Sequence, residues 1–319
     1  MFRALAIDGG GVRGFLAASI LANIEAYLDD ATGERRPLGR RFDLISGTSA
    51  GGLVALGLGM GRTAAEVRDL FLALVPAVFG DANRREMWHR PKKPRYHSEP
   101  LQKALVDFFQ DATLGDLVVD VCVTSVSLID AKPRMHKTDY LARNAGRLGE
   151  RLVDVGLATT AAPTYLKAHS STFSANLVDG GLAANNPALV ALVDALQFER
   201  RSKRGAARPT LNGTSAEERL VMISVGTGQP GPLPYDHEKL VDGGWFDWLL
   251  PILEVVQLSQ AQLVHHQAKF LLGDHYLRID PVLNVPVKLD DAKRFLELRN
   301  KADIDEATER FLKQFFLAQ

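Results

Sequence analysis

Two short apolar runs early in the chain are each cut off by glycines and then followed by apolar residues at helical spacing. "FRALAID" (Phe2 to Asp8) leads through Gly9, Gly10 and Gly11 into "GFLAASILANIEAYLDD", and "RFDLIS" leads through "GTSAGG" into "LVALGLGM". Short apolar stretches bounded by glycine read as buried strands, and apolar residues three and four apart read as one face of a helix. Each unit is therefore strand, glycine turn, helix. Successive units of this kind lay parallel strands side by side with helices across them, which makes the fold class α/β. "LVVDVCVTSVSLI" and "RLVMISVGTG" supply further strands, rich in the β-branched residues of strands covered on both faces.

The glycine turns are where chemistry can sit. Gly47, Ser49 and Gly51 fit G-x-S-x-G, in which a serine on a tight strand-to-helix turn has its hydroxyl lifted clear of the backbone. Ser49 is thus a candidate nucleophile, with an ordinary glycine-serine turn as the competing reading. In the first turn, Gly9, Gly11 and Gly14 also satisfy the G-x-G-x-x-G of dinucleotide-binding folds. That fold needs an acidic residue ending a second strand roughly twenty positions on, whereas Asp29 and Asp30 close the helical segment. Acyl transfer makes better use of the same loop, because backbone N–H groups at a helix N-terminus can meet a tetrahedral oxyanion. "DGGGVRG" suits such an oxyanion hole, with Gly9, Gly10, Gly11, Arg13 and Gly14 as its members. Arg13 either adds positive potential or ties the loop down by hydrogen bonds, and the second role is the simpler.

A serine nucleophile needs a base. None of the eight histidines stands in a persuasive setting; His265 and His266 lie in a helical stretch. The better candidate is Asp179 in "NLVDGGLAANNP", where a turn through Gly180 and Gly181 would aim its carboxylate outward. An unperturbed aspartate titrates near ~3.9 and is a weak base, so enclosure by Leu177 and Val178 would have to raise it. No HExxH or paired-cysteine set is present, so neither a metal nor a cofactor is expected.

Taken in order, "DGGGVRG", "GTSAG" and "DGG" resemble the patatin-like phospholipases, and "TTAAPTYL" (Thr159 to Leu166), "NNP" and "SVGTG" extend the likeness from about Met1 to Gly228. The resemblance implies a three-layer α/β/α sandwich with a mostly parallel central sheet. It also implies a Ser49–Asp179 dyad, an oxyanion hole in the glycine loop, and acyl esters of membrane phospholipids as substrates. Residues 229–319 fall outside it and are expected to form a C-terminal extension packed on a single domain spanning 1–319.

Charge and composition limit the partners. Among 319 residues, 38 Lys and Arg balance 38 Asp and Glu, so no overall field draws the chain to a DNA or RNA polymer, and none is expected to bind. Cys122 is the one cysteine and cannot form an internal disulfide, and the N-terminus lacks a signal-peptide pattern. The expected location is the cytoplasm, with peripheral contact with the inner membrane when active. "GGWFDWLLPILEVVQL" (Gly243 to Leu258) is a candidate lipid-contact surface, with a core helix or a homo-oligomer contact as alternatives. "RRSKRGAARPTLNGTSAEE" (Arg200 to Glu218) reads as a surface loop.

Basic clusters at Arg84 to His97 and Glu34 to Arg41 could meet phosphates locally. Within the first, "KPRY" with "LQKAL" downstream resembles bacterial patatin-like effectors of anti-phage signalling, phospholipases switched on by cyclic dinucleotides. That likeness implies a cyclic dinucleotide activator, with no residues assigned to its site. The alternatives are a constitutive lipid or carboxyl esterase, a dinucleotide-cofactor protein, and a catalytically silent binding module.

Overall fold

The computed structural model describes residues 1–86, 92–140, 145–202, 220–231, 233, 235–248 and 251–317. Strand β1 (Phe2–Ile7) passes through the glycine loop into helix α1 (Gly14–Thr32), which ends on left-handed Gly33. Strand β2 (Leu44–Thr48) turns at Ser49 into α2 (Ala50–Gly59), and α3 (Ala64–Phe79) starts on a Thr63–Glu66 capping box. Then follow α4 (Glu99–Phe109), β3 (Asp120–Ser127), β4 (Pro133–Lys137), α5 (Leu152–Thr159) and β5 (Leu177–Asp179). The short α6 (Gly181–Ala184) and α7 (Ala188–Ser202) precede β6 (Leu220–Val225) and β7 (Gln229–Pro230). The last part holds α8 (His237–Val241), α9 (Trp245–Trp248), α10 (Pro251–Leu272), β8 (Tyr276–Ile279), β9 (Val282–Leu283) and α11 (Glu306–Leu312).

The central sheet has the order β4-β3-β2-β1-β6-β8, with β5 also paired to β3. Strands β8, β6, β1, β2 and β3 are parallel; β4 and β5 run antiparallel to β3. Alternate strand residues serve two separate cores, as the period of two requires. Leu5, Ile7, Ile45, Val121, Val123 and Ile223 pack under α1 to α5, whereas Ala4, Ala6, Leu44, Cys122 and Met222 pack under α7 and α10. This is the three-layer α/β/α arrangement, and Cys122 is wholly buried packing within it.

The chain beyond residue 228 takes part in the same layers. β8 extends the sheet beside β6, and Phe295 meets Phe15 of α1 edge to face with centroids 5.2 Å apart. Phe311, Leu312 and Phe315 join the same core as α1. Among the described residues no helix is long and apolar enough to cross a membrane. Most of the Arg200 to Glu218 stretch, and Met87 to Pro91 of the first basic cluster, lie outside the described residues.

Candidate functional site

The register of β3 brings the site together. β4 occupies one edge of β3 from Cys122 to Val126. On the opposite edge β2 stops with Thr48 facing Thr124, and β5 takes over with Asp179 facing Ser125. The residue that leaves β2 and the residue that ends β5 are therefore neighbours, although 130 positions separate them.

Ser49 has φ 54° and ψ −125°, a left-handed backbone held by its surroundings rather than by its own preference. A Cβ on Gly51 would strike the carbonyl oxygens of Ile7 and Asp8, and one on Gly47 would strike the Gly51 carbonyl, so the turn closes against the end of β1 only with glycine at both places. The Ser49 N–H donates to Thr159 Oγ1 at 2.8 Å. Its hydroxyl donates to Asp179 Oδ2 at 2.6 Å. Asp179 Oδ1 accepts from the Gly181 N–H at 2.7 Å, and the Asp179 N–H donates to Ala161 O at 3.1 Å. The Thr159 to Leu166 segment thus holds the backbone of both Ser49 and Asp179. Gly180 lies flat against Thr124, where a Cβ would have no room.

Ser49 is 8% and Asp179 3% exposed. Burial among apolar neighbours pushes the Asp179 carboxyl up to about 6, against the opposing pull of the hydrogen bonds from Ser49 and Gly181. Among the described residues no histidine lines this cleft. His136 is buried against Ser125 and Glu150, His169 is held by Asp154, and His265 meets Tyr276, while His89 lies outside the described residues.

The expected oxyanion loop is narrowed by its own hydrogen bonds. The Gly9 N–H donates to Asn185 O at 3.0 Å, that of Arg13 to Gly10 O at 3.1 Å, and that of Gly14 to Gly11 and Val12 carbonyls. These three are not available to a ligand. Gly10 and Gly11 donate their N–H groups to no acceptor among the described residues and line the cleft beside Ser49. The orphan N–H groups opening α2 at Ala50 add the positive end of a helix to the same place. The Arg13 side chain makes no hydrogen bond among the described residues, so the loop is not tied down by it.

What braces the loop comes from the far end of the chain. Arg278 on β8 donates to both Asp8 oxygens at 2.9 and 2.6 Å, to Ser224 Oγ at 2.8 Å and to Asp280 at 2.8 Å. Asp280 in turn accepts from the Gly228 N–H, and Thr227 Oγ1 donates to Gly9 O. Asp8, immediately before Gly9, is raised by burial to about 6 with Arg278 pulling the other way. Ser224, Thr227 and Gly228 lie in "SVGTG" and Asp8 opens "DGGGVRG", but Arg278 and Asp280 carry no motif that marks them in the sequence. Gln257 has no such mark either, and Asn185, although part of "NNP", was given no role; a Cβ on Gly181 would meet both side-chain amides, next to the Asp179 carboxylate.

The rest of the cleft is apolar, with Phe71, Leu74, Val78, Phe79, Leu101 and Leu166 in its wall. Trp245 and Phe246 are 75% and 89% exposed, so this part of the Trp-rich stretch is no core helix, whereas Trp248 is half-buried with its ring N–H on Leu240 O. Leu249 and Leu250 lie outside the described residues. In the basic clusters Arg95 is held by Asp290 at 2.6 Å and Arg41 by Asp29 at 2.6 Å.

The family model for patatin-like phospholipases matches residues 5–192. A cGAMP-activated phospholipase of Vibrio cholerae is 36% identical over 202 residues, which cover 60% of this chain and 56% of that protein. A cGAMP-activated phospholipase of Pseudomonas aeruginosa is 31% identical over 283 residues, covering 88% of this chain and 78% of that one. Patatin-like protein 2 of Arabidopsis thaliana is 29% identical over 295 residues, 82% of this chain and 69% of its own length. The chain thus spans little more than half of the Vibrio relative.

Proposed function

Since this chain belongs to the patatin-like phospholipase family, we propose that it is a serine lipid acyl hydrolase of phospholipase A type, with Ser49 as nucleophile and Asp179 as its base. The observation that carries this reading is the 2.6 Å hydrogen bond from Ser49 to a buried carboxylate raised to about 6. Such a carboxylate is ionised at neutral pH yet a stronger base than an ordinary aspartate. Ser49 Oγ attacks the ester carbonyl as its proton passes to Asp179, and the oxyanion meets the N–H groups of Gly10 and Gly11. Collapse releases the alcohol, which takes the proton from Asp179, and leaves an acyl-Ser49 ester. A water that gives its proton to Asp179 then attacks the acyl carbonyl, and Ser49 recovers its hydrogen as the fatty acid leaves.

The apolar wall of the cleft favours a long acyl chain, and the exposed Trp245 and Phe246 support peripheral contact with a phospholipid bilayer. The names of the two bacterial relatives, cGAMP-activated phospholipases, support activation by a cyclic dinucleotide. The test is fatty-acid release from a panel of phospholipid vesicles by the purified chain, with and without cGAMP. Release that rises with cGAMP and vanishes in Ser49→Ala is expected. No release under any condition overturns the reading, and full release without any nucleotide leaves a constitutive lipid esterase.

A further inference from the structure

Behind the glycine loop lies a second cavity of about 210 Å³. Arg13, Glu254, Thr227 and Gln262 line it, and Asn185 and Gln257 line both this cavity and the cleft of Ser49. Its volume is well beyond the roughly 15 Å³ that one water needs. Three of its polar groups have no partner among the described residues. Arg13 is 5% exposed, yet its guanidinium makes no hydrogen bond or ion pair, and its Nε is fully buried. Asn185 Oδ1 is buried without a donor. Half-buried Glu254 makes no hydrogen bond or ion pair either.

Unpaired buried charge is costly, and a chain that keeps it needs a compensating group. The other cation of the cavity, Arg278, is matched by Asp8 and Asp280. What remains is one cation and one carboxylate that face the same space without touching. Burial lowers Arg13 and raises Glu254, each being the other's main electrostatic relief; exposed Lys288 and half-buried Asp290, itself paired with Arg95, act on Glu254 as well. A ligand carrying a negative and a positive group together would satisfy both sides.

Resting on the reading of the chain as a phospholipid acyl hydrolase, we propose that this cavity seats a zwitterionic phosphoethanolamine head, its phosphate on Arg13 and its ammonium at Glu254. The ester then lies at Ser49 with its acyl chain in the apolar cleft. A guanidinium presents paired donors to phosphate oxygens, and a primary ammonium can donate to Glu254 and to the amide oxygens of Gln257 and Gln262. A choline head has no N–H to donate and is best held by aromatic faces, and no aromatic side chain is among the described residues lining this cavity. A glycerol head would leave Glu254 unpaired, which counts against anionic lipids.

The test uses short-chain lipids below their micellar concentration, so that only the head differs and no interface intervenes. For the native chain kcat/KM is expected to be about tenfold higher with the ethanolamine head than with glycerol or choline. Glu254→Gln keeps the shape of the side chain and should bring the ethanolamine-to-glycerol ratio to within about twofold, whatever it does to the absolute rates. A native preference for glycerol, or a ratio that survives Glu254→Gln, overturns the assignment. A second measurement needs no turnover: calorimetric binding of glycerophosphoethanolamine to Ser49→Ala protein. Binding should weaken about tenfold in Glu254→Gln, whereas sn-glycerol 3-phosphate should lose affinity only in Arg13→Gln. Equal binding of both ligands to all three proteins also overturns it. A chain that binds the head but cleaves no ester would sink the proposed activity and keep the site.

Discussion

Ser49 and Asp179 meet because they leave one edge of β3 at adjacent positions, Thr48 facing Thr124 and Asp179 facing Ser125. Their 2.6 Å hydrogen bond is thus a matter of strand register, fixed on two sides by a seven-stranded sheet rather than by a flexible loop. Groups held this way act as a unit.

That unit should show in the kinetics. Ser49→Ala and Asp179→Asn should each lower kcat by about a thousandfold or more, and the double variant should be little worse than either. Replacing His136, His169 or His265 should leave residual turnover far above that level. If Asp179→Asn keeps most activity while one histidine variant abolishes it, the base is misassigned.

The raised Asp179 carboxyl predicts both a rate and a stability profile. kcat/KM should climb as pH rises through about 6, since the base must be ionised. For stability the sign is opposite: the folded chain holds this proton more tightly than the unfolded chain, so folding is disfavoured progressively as pH rises from the unfolded value to about 6 and stays so above it. Asp179→Asn should therefore raise the unfolding free energy at pH 8, by up to about 2–3 kcal/mol, and much less near pH 4. Urea titrations at both pH values check this, and an equal effect at the two would contradict it.

Arg278→Met should leave Asp8 and Asp280 as uncompensated buried carboxylates and destabilise the chain by about 3–5 kcal/mol near neutral pH. The loss should shrink at pH 5, where Asp8, already raised to about 6, takes up a proton. Urea midpoints that fall equally at pH 5 and pH 8 would mean that packing, not charge, is what Arg278 supplies.

Two glycines separate steric from conformational need. Gly51→Ala drives a methyl into the Ile7 and Asp8 carbonyls and should cost more than about 2 kcal/mol as well as activity. Gly33 has φ 68° but open space around it, so Gly33→Ala should cost only about 1 kcal/mol and spare turnover. Similar losses by denaturation for both would remove the steric account of the elbow.

Trp245→Ala with Phe246→Ala should change folding stability by no more than about 0.5 kcal/mol, since both rings are exposed. Hydrolysis of vesicle phospholipid should fall several-fold while hydrolysis of a soluble short-chain ester does not. Equal losses on the two substrates would place these rings in something other than bilayer contact.

What the sequence determined by itself is local. A strand ending in glycine, a serine between two glycines and a helix after it require one another within a few residues, so Ser49, the glycine loop and the Asp179 turn could be read directly. The repeated order of strand, glycine turn and helix likewise carried the α/β layers. Only the tertiary structure decided that β8 lies beside β6, and therefore that Arg278 in "YLRID" is a buried partner of Asp8 rather than a solvated strand residue. It also turned Gln257 and Glu254 inward from a stretch whose pattern reads as an apolar surface, and it left Arg13 without the hydrogen bonds its place in the loop predicts. The physical reason is that covalent neighbours set backbone conformation, whereas burial and charge pairing depend on which distant element packs alongside, and no local spacing encodes that choice.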